Sequence, residues 1–390
     1  MIKKTLNIAI AAEIAPAKTI IPVLEKLKDL DANDKLNFKI GKIIALYHGL
    51  PAKELLQDYC SEFYSIGEGR RGTPKYKLPF LIFRDIIKSF NALRGKNIDL
   101  LITIGNAGDV RKSIIAANIL KIPILHIEQD IYNPIEVISQ ANLVTVPNEK
   151  YINILKGYGI KNIVNINGYP MVKYISNNTF STNPNYLKNL SIKNIKDDFD
   201  ILVVLGGDLK KNEVSILLNE IQHLGRNTLI APYRFNRDFI VDLINSINST
   251  SSNNQANSTS SNNLNQIIVL DQYVDLIPYL QSTKLLIYAA GMGMTIEAGL
   301  MEVPSIKIEG FHKEHASVDL AKSLGIPVVK IEDIKDINVD SIQVNSKDLL
   351  KNSEIAIDEL VNIINNFDFS AKRSGLKVAK NIWNVRKIYR

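Results

Sequence analysis

The amino-acid sequence predicts an α/β protein with two Rossmann-like domains, each a doubly wound parallel sheet, and a cleft between the domains. Short apolar runs alternate along the 390 residues with longer amphipathic segments. Runs of this kind are typical of parallel strands that helices bury on both faces. A polar stretch near the middle of the chain separates the runs into two sets. The pattern therefore predicts one sheet in each half.

The predicted strands fall into two groups of six. In the first half they span residues 6–12, 40–47, 100–104, 122–127, 143–147 and 163–166. In the second half they span residues 201–205, 228–231, 267–270, 285–289, 305–308 and 328–331. Residues 173–198, rich in Asn, Ser and Lys, are predicted to link a domain of residues 1–172 to one of residues 199–370.

The composition indicates a soluble globular protein, with 46% hydrophobic and 22% charged residues. No apolar run approaches the ~20 residues of a membrane-spanning helix. Residues 1–12 are apolar only briefly and lead directly to Glu13, so they predict a first buried strand rather than a signal peptide. Cys60 is the single cysteine, which excludes an intrachain disulfide and fits a cytoplasmic protein.

The net charge of +7 resides in the C-terminal tail, because residues 371–390 carry seven Lys or Arg and no acid. Val378, Ile382, Val385 and Tyr389 recur at helical spacing, which predicts a basic amphipathic helix. Such a helix either docks on its own protein or contacts an anionic membrane surface, and both interpretations stay open. Nucleic acid is not expected as a partner, since no basic platform interleaved with aromatic residues accompanies the tail.

A second polar stretch, residues 245–265, consists of Asn, Ser, Thr or Gln at 18 of its 21 positions. This composition buries too little apolar surface to offset the entropy cost of ordering. It therefore predicts a disordered surface insert within the second domain.

The most informative stretch is residues 288–309, which places a strand end, a glycine turn, a helix start and a second strand in succession. Gly291 and Gly293 are expected to let the backbone turn tightly and approach a ligand, and the helix that begins there aims free N–H groups at an anion. Glu297 is expected in the first helical turn, where its carboxylate can accept hydrogen bonds from two hydroxyl groups, as a ribose would offer. The alternative is an acid that only complements the helix dipole.

Two further glycine-rich turns follow predicted strands. Gly206 and Gly207 come before a predicted helix, which is the arrangement of a phosphate cradle, and Lys210 can supply counter-charge. Residues 105–109 form a similar small-residue turn that ends in Asp109. Turns at the carboxyl ends of parallel strands gather ligands, so both are predicted to face the cleft.

Acidic residues also follow the predicted strand of residues 122–127. Glu128 and Asp130 could each serve as a general base or bind sugar hydroxyl groups. The alternative is a pair of surface acids just past a strand.

The remaining candidates are basic residues and histidines. His312 and His315 are three positions apart, but only Glu314 accompanies them, so a metal site is not expected. Arg70 and Arg71 could grip an anionic acceptor, or they could belong to a solvated basic loop.

Read in order, these motifs resemble the landmarks of GT-B nucleotide-sugar enzymes. The resemblance covers most of the chain and is carried by the segments IPILHIEQD, NGYP, VVLGGD, DQYVDLIPYL, GMGMTIEAGLMEVPSI and FHKEHAS. It is nearest to the transferases that resemble the peptidoglycan lipid II N-acetylglucosaminyltransferase. UDP-N-acetylglucosamine 2-epimerases share the fold and several of the landmarks.

The resemblance implies a GT-B-like fold, with the acceptor on the first domain and the nucleotide sugar on the second. It implies that Glu297 holds the ribose and that the loop of residues 311–315, with His312 and His315, faces the sugar. The residues that it places beside the diphosphate are Gly206, Gly207, Gly291, Met292, Gly293, Met294 and Thr295.

The chain departs from both family patterns on the catalytic side. Epimerases carry an early Arg-Pro-Glu turn where residues 15–17 read Ala-Pro-Ala, and a His-Arg pair where residues 206–208 read Gly-Gly-Asp. The transferases carry a glycine-rich loop with a histidine where residues 11–16 read Ala-Ala-Glu-Ile-Ala-Pro, so a base from that loop could only be Glu13.

The sequence therefore predicts a glycosyltransferase that moves a sugar, with N-acetylglucosamine as one candidate, from a UDP-sugar to an unidentified acceptor. This chemistry needs no metal or cofactor, because a helix N-terminus and lysines stabilise the departing diphosphate while a carboxylate or histidine takes the acceptor proton. The catalytic candidates are Glu13, Asp109, Glu128 and His312. An epimerase and a non-catalytic sugar-nucleotide-binding protein are the alternatives, and a monomer or homodimer is expected.

Overall fold

The protein consists of two α/β units. The computed structural model describes residues 3–67, 74–105, 110–129, 135–180, 199–206, 209–254, 266–272, 274–310, 316–371, 380–381 and 383–384. Unit 1 comprises Met1–Ile175 and Asp348–Arg390, and unit 2 comprises Ser176–Lys347. Each unit has its own parallel sheet with helices packed on it, so the predicted pair of parallel-sheet α/β domains is confirmed.

The described part of unit 1 forms a seven-stranded parallel sheet. Its strands are β1 (Thr5–Ala12), β2 (Lys39–His48), β3 (Glu62–Gly67), β4 (Leu100–Ile104), β5 (Ile124–Ile127), β6 (Leu143–Val146) and β7 (Ile163–Asn165). Their order across the sheet is β3-β2-β1-β4-β5-β6-β7. The central strands β1 and β4 are largely apolar, and β1 from Ile8 onward and all of β4 are buried, because helices cover both of their faces.

The described part of unit 2 forms a six-stranded parallel sheet. Its strands are β8 (Ile201–Val204), β9 (Thr228–Ala231), β10 (Ile267–Val269), β11 (Leu285–Tyr288), β12 (Ser305–Ile308) and β13 (Val328–Val329). Their order is β10-β9-β8-β11-β12-β13, so β8 and β11 are central neighbours although 80 residues separate them along the chain. The ends of β8 and β11 are therefore brought together by the sheet.

The helices lie between successive strands, except for the last one, which follows β13. In the described residues they are α1 (Ile14–Ala32), α2 (Leu50–Leu56), α3 (Leu78–Leu93), α4 (Val110–Ile119), α5 (Ile135–Ile138), α6 (Glu149–Gly157), α7 (Met171–Phe180), α8 (Lys211–His223), α9 (Arg237–Asn254), α10 (Ile277–Leu280), α11 (Met292–Leu300), α12 (Ala316–Ser323) and α13 (Leu349–Asn365). In unit 1, α1 contacts α2 and α13, whereas α3 contacts α4, which in turn contacts α5.

Helix α13 corrects the predicted domain boundary. The sequence assigned residues 199–370 to the second domain, but α13 packs on α1 in unit 1. Its buried Ile357 and Leu360 join the same apolar cluster as Leu24 of α1. The pattern of α13 shows that it buries one face, but a single helix carries no signal for the sheet on which that face packs.

The predicted linker also begins later than expected. Residues 173–175 lie within α7, where the Lys173 backbone N–H donates to Ser353 Oγ at 3.1 Å and Lys173 Nζ lies 2.9 Å from Glu354 Oε1. Both partners are at the start of α13, so these contacts tie α7 to unit 1. Residues 181–198 lie outside the described residues.

Strand β3 was missed by the sequence pattern. It is the outermost strand of the unit 1 sheet, and its first four residues are not fully buried. An edge strand tolerates polar residues such as Glu62 and Ser65, and these interrupt the apolar run on which the other predictions depended.

The polar insert predicted as disordered is helical in its first part. Helix α9 continues to Asn254, and residues 255–265 lie outside the described residues. Ile244 is buried and Ile247 packs against the same apolar cluster of unit 2. Gln222 of α8 also donates a hydrogen bond from Nε2 to Asn248 Oδ1 at 2.8 Å. Because these contacts extend the buried face of the helix, tertiary packing overrides the local composition.

The C-terminal tail contacts unit 1 where it is described. Residues 380–381 and 383–384 are helical, and Asn381 Nδ2 donates to the Ser139 carbonyl oxygen at 2.7 Å. This contact supports the interpretation in which the tail docks on its own protein. Membrane contact through the tail remains a prediction. Among the described residues, no helix is both long and apolar enough to cross a bilayer.

Cys60 is expected to resist alkylation in the folded protein. Burial raises the pKa of its thiol to about 12, so the reactive thiolate is scarce at pH 8.5. Counting labelled protein by mass spectrometry after iodoacetamide treatment should give little product from the native chain and complete labelling in guanidinium chloride. Equal labelling rates in the two states would contradict this burial.

Candidate functional site

The ends of β8 and β11 meet so closely that only glycine fits between them. A Cβ atom built on Gly206, which follows β8, would lie 1.7 Å from the Ala289 carbonyl oxygen and 2.5 Å from the Ala290 nitrogen. No side chain can be accommodated against backbone atoms at these distances. Gly206 therefore fixes how the first turn of unit 2 lies against the segment that leads into α11.

Gly291 and Gly293 do not have the conformational role that the sequence predicted for them. Gly291 caps α11 with φ −83° and ψ −151°, and neither Gly291 nor Gly293 has a positive φ. The turn therefore does not depend on the conformational freedom of glycine. A Cβ on either residue would meet no atom within 4 Å. The glycines instead leave open space beside the N-terminus of α11, where its free N–H groups point.

Buried side-chain hydroxyl groups stabilise the N-terminus of α11. Tyr288 donates a hydrogen bond from its hydroxyl group to Thr295 Oγ1 at 3.1 Å, and Thr295 Oγ1 donates to the Gly291 carbonyl oxygen at 3.3 Å. Burial raises the pKa of Tyr288, which keeps the phenol neutral and able to donate. Strand end and helix start are therefore joined by side chains as well as by the backbone.

Lys307 is a buried lysine that contacts the turn between β11 and α11. It lies in β12, its residue exposure is 3%, and its Nζ donates to the Ala290 carbonyl oxygen at 2.7 Å. The ammonium group also lies 5.0 Å from the centre of the Tyr288 ring, a favourable cation–π distance. Sequence reasoning missed Lys307, although a lysine inside a short buried strand is a signal that could have marked it.

Glu297 lies one turn later than predicted. Helix α11 begins at Met292, so Glu297 is its sixth residue and belongs to the second turn. Its side chain is partly exposed, whereas Met292, Met294 and Thr295 are buried. Because dipole effects fall off within the first turn, the new position weakens the interpretation of Glu297 as a dipole-complementing acid.

Lys210 is an exposed cation at the start of α8. Its backbone N–H donates to Glu213 Oε2 at 2.7 Å, and its Nζ lies 3.7 Å from Glu213 Oε1. The side chain of Lys210 remains 65% exposed, so it is accessible to an anion. Gly207, the other half of the predicted cradle, lies outside the described residues.

In unit 1, the carboxyl ends of β1 and β2 place Glu13 beside a histidine that the sequence analysis overlooked. Ala12 and Tyr47 are partners in the parallel register, so Glu13 and His48 follow directly after them. His48 Nδ1 lies 2.6 Å from Glu13 Oε1, and the two side chains are 13% and 34% exposed. A carboxylate in this position fixes the orientation of the imidazole.

Glu128 lies inside the protein, so its interpretation as a surface acid is wrong. Its exposure is 0%, and its Oε2 lies 3.2 Å from His126 Nε2. His126 Nδ1 in turn lies 2.8 Å from Thr103 Oγ1, and the Gln129 backbone N–H donates to Glu128 Oε1 at 3.1 Å. The result is a buried hydrogen-bonded chain from β4 to the end of β5.

The other predicted site residues cannot be placed. Asp109, His312, His315, Arg70 and Arg71 lie outside the described residues, as does Asp130. Their predicted roles remain predictions. In the described part of the chain, no group of three or more His, Cys, Asp or Glu side chains could hold a metal ion.

Comparison with known proteins identifies the fold of the chain. No protein-family model matches the chain, and no curated protein sequence is similar to it. Solved structures do match: the UDP-GlcNAc 2-epimerase of Methanocaldococcus jannaschii in complex with UDP-GlcNAc and UDP has a TM-score of 0.58 at 17% identity, with 99% of each chain covered. The UDP-GlcNAc 2-epimerase of Neisseria meningitidis bound to UDP-GlcNAc has a TM-score of 0.54 at 13% identity, again with 99% of each chain covered.

A transferase has a similar fold. A UDP-glucosyltransferase of Polygonum tinctorium has a TM-score of 0.52 at 12% identity, with 100% of each chain covered. At these identities the likeness establishes architecture alone. The chain has the GT-B fold of nucleotide-sugar enzymes, a fold shared by epimerases and glycosyltransferases.

Proposed function

We propose that this protein is a glycosyltransferase that uses a UDP-sugar as the donor, with the Glu13–His48 pair as the acceptor of the proton. The observation that carries the proposal is the 2.6 Å contact between His48 Nδ1 and Glu13 Oε1. Transfer to a hydroxyl group needs a base for the acceptor proton, and a histidine oriented by a carboxylate is suited to that task.

The start of α11 supports the binding of the donor diphosphate. Its free N–H groups and the open space beside Gly291 and Gly293 suit an anion. Lys307 adds a positive charge beneath the turn, and Lys210 adds one at the start of α8. These groups would stabilise the negative charge that develops on the departing UDP.

The proposed reaction is a single displacement at the anomeric carbon. The acceptor oxygen forms a bond to this carbon while the bond from the carbon to the UDP oxygen breaks, and the bonding electrons leave with UDP. The acceptor proton moves to the imidazole of His48, and Glu13 stabilises the resulting imidazolium. UDP-GlcNAc is the first donor to test, because two of the similar structures are described as complexes with it.

An epimerase is the second candidate. Several of the similar structures are epimerases.

Product analysis and a binding measurement distinguish a transferase, an epimerase and a non-catalytic binding protein. Purified protein with radiolabelled UDP-GlcNAc and a cell extract as the acceptor source should release UDP and place the label on a new product if it is a transferase. Conversion to a stereoisomer of the nucleotide sugar, seen by NMR spectroscopy, would instead establish an epimerase. Binding of UDP by calorimetry without either product would identify a non-catalytic binding protein.

Glu297 is expected to bind the ribose of the nucleotide. Glu297→Ala removes two charge-assisted hydrogen bonds to the hydroxyl groups, so UDP binding should weaken by about 1.5–3 kcal/mol, which is roughly a 10- to 150-fold rise in Kd. Glu297→Gln should show a smaller loss because it keeps the shape but not the charge. Calorimetric titration of UDP into wild type and both variants measures the effect.

Glu220→Gln is the matched control, since Glu220 is also a partly exposed glutamate on a helix of unit 2. It should leave the Kd for UDP unchanged. A deoxyribose analogue should bind wild type and Glu297→Ala with more similar affinities than UDP does. Equal UDP affinities for all four proteins would rule out the ribose assignment.

A further inference from the structure

Unit 1 contains a surface cavity at the amino ends of its last two strands. The cavity has a volume of about 590 Å³, which is within the usual range of small-molecule sites. Two of its lining residues, Asn142 and Asn162, come directly before β6 and β7, and most of the others belong to the end of α13 and the residues just after it. Since the sheet is parallel, the cavity lies at the edge opposite to the one that carries Glu13 and His48.

Carboxamide groups supply most of the polar lining of this cavity. They belong to four asparagines, Asn142, Asn162, Asn362 and Asn366, and Asp368 adds a carboxylate. Among the described residues that line the cavity, none is Lys, Arg or His. An anionic ligand would therefore meet a carboxylate without a compensating cation, which is unfavourable.

Hydrogen bonds hold two of these asparagines in place. Asn142 Oδ1 accepts from a backbone N–H of β5 at 3.0 Å, and its Nδ2 donates to the Ala371 carbonyl oxygen at 2.6 Å. Asn366 Nδ2 donates to Asn362 Oδ1 at 2.8 Å, and Asn366 Oδ1 accepts from Asn37 Nδ2 at 3.2 Å. The polar wall of the cavity is thus already ordered, which lowers the entropy cost of binding a ligand.

Three polar atoms of the lining have no hydrogen-bond partner among the described residues. They are Asn162 Oδ1, Asn362 Nδ2 and Asp368 Oδ2, because the bonds of these side chains use their other atoms. Ser370 donates to Asp368 Oδ1 from its hydroxyl group at 2.6 Å and from its backbone N–H at 3.0 Å. These two bonds hold the pKa of Asp368 below its ordinary value, so the side chain is a carboxylate at neutral pH. The cavity therefore offers two acceptors and one donor.

An aromatic ring completes the lining. The centre of the Phe367 ring lies 5.6 Å from that of Phe369, which in turn packs edge-on against Phe38 at 5.7 Å. Contacts of this kind between rings are favourable and restrict the position of Phe367. The cavity thus combines an anchored ring with polar atoms.

We propose that this cavity binds a neutral carbohydrate. Hydroxyl groups both donate and accept, so a sugar can donate to Asn162 Oδ1 and Asp368 Oδ2 and accept from Asn362 Nδ2. The C–H face of a pyranose ring can pack against Phe367. A purely apolar ligand would instead leave the three polar atoms without partners, which is costly. The inference rests on unit 1 alone and does not depend on the proposed sugar transfer.

Saturation-transfer difference NMR spectroscopy of the full chain tests the proposal, with maltotriose, cellotriose and triacetylchitotriose as probes. Wild type should transfer saturation to at least one of these neutral trisaccharides at about 10 mM. Excess UDP-GlcNAc should not remove the signal, because the cavity is at the opposite edge of the sheet from Glu13 and His48. Trigalacturonate, an anionic trisaccharide, should give a weaker signal.

Two variants locate the binding. Asn362→Trp places a large ring in the cavity from an exposed position of α13 and should abolish binding. Asp368→Asn replaces the acceptor Oδ2 by a donor and removes the charge, so the Kd should rise about tenfold or more. Asn91→Trp is the matched control, since Asn91 is also an exposed asparagine in a helix of unit 1, and it should bind as wild type does.

Thermal unfolding shows whether Asn362→Trp is folded, and Asp368→Asn, which changes an exposed side chain, supplies the test if it is not. Wild type that binds none of the three neutral trisaccharides would overturn the proposal. Equal affinities for wild type and the folded cavity variants would place the sugar elsewhere and overturn it too. Tighter binding of trigalacturonate than of any neutral trisaccharide would show that the ligand is an anion instead.

Discussion

Replacement of His48 by Gln is expected to lower the rate of UDP release from a UDP-sugar by about 10²–10⁴-fold, the usual contribution of a general base. The glutamine keeps a polar side chain at the end of β2 but cannot accept and hold a proton. The Kd for UDP should stay within about twofold of wild type, because the residues proposed to bind the nucleotide lie in unit 2. A coupled assay for UDP measures the rate, and calorimetry measures the affinity.

Glu13→Gln should lower the same rate by a smaller factor, because it leaves the imidazole in place and removes only the charge that stabilises its protonated form. His223→Gln is the matched control. His223 donates a 2.8 Å hydrogen bond from Nδ1 to the Asn219 carbonyl oxygen at the end of α8 and is exposed, so its loss should leave the rate unchanged. Full activity in His48→Gln would remove the pair from the mechanism and favour a base elsewhere in the protein.

Gly206→Ala is expected to destabilise the folded protein by about 3 kcal/mol, the upper end of the cost of overpacking a core. The added methyl group would lie 1.7 Å from the Ala289 carbonyl oxygen, and a backbone oxygen cannot move aside without separating β8 from β11. Denaturant unfolding monitored by circular dichroism gives the free energy of unfolding. A variant as stable as wild type would show that the two strand ends are not in close contact.

Gly293→Ala is the informative counterpart to Gly206→Ala. A Cβ at Gly293 meets no atom within 4 Å, and alanine is the better residue inside a helix by roughly 0.5–1 kcal/mol. The variant should therefore be as stable as wild type or more stable, yet bind UDP more weakly because the methyl group occupies the space beside the helix start. Unchanged UDP affinity would indicate that the nucleotide does not approach this turn.

The strands were predictable because their signal is local. Continuous apolar runs such as those of β4 and β8 reveal burial on both faces without any knowledge of neighbours. The same logic failed at β3, whose edge position admits polar residues, and at the first part of residues 245–265, where Ile247, together with Ile244 just before the segment, packs α9 on unit 2. In both places a neighbouring element, rather than the segment itself, decided the outcome.

For the candidate site, too, the sequence indicated some of the residues, and only the structure showed their contacts. Sequence marks the turn after β11, since glycines before an amphipathic run are a local pattern, and the family resemblance marks Glu13 as the one possible base in the loop after the first strand. It could not pair Glu13 with His48, because 35 positions separate them and only the parallel register of β1 and β2 brings their ends together. It also could not distinguish Gly206, which permits a close backbone contact, from Gly293, which leaves space.

By itself, the sequence determined the α/β class, the two parallel sheets and the positions of the glycine turns, because periodicity and turn chemistry are properties of short segments. Tertiary structure alone decided that α13 belongs to unit 1, that Glu128 is buried and that Lys307 supports the turn before α11. Each of these depends on contacts between residues distant in the chain. Composition and spacing do not encode such contacts, whereas strand order and register create them.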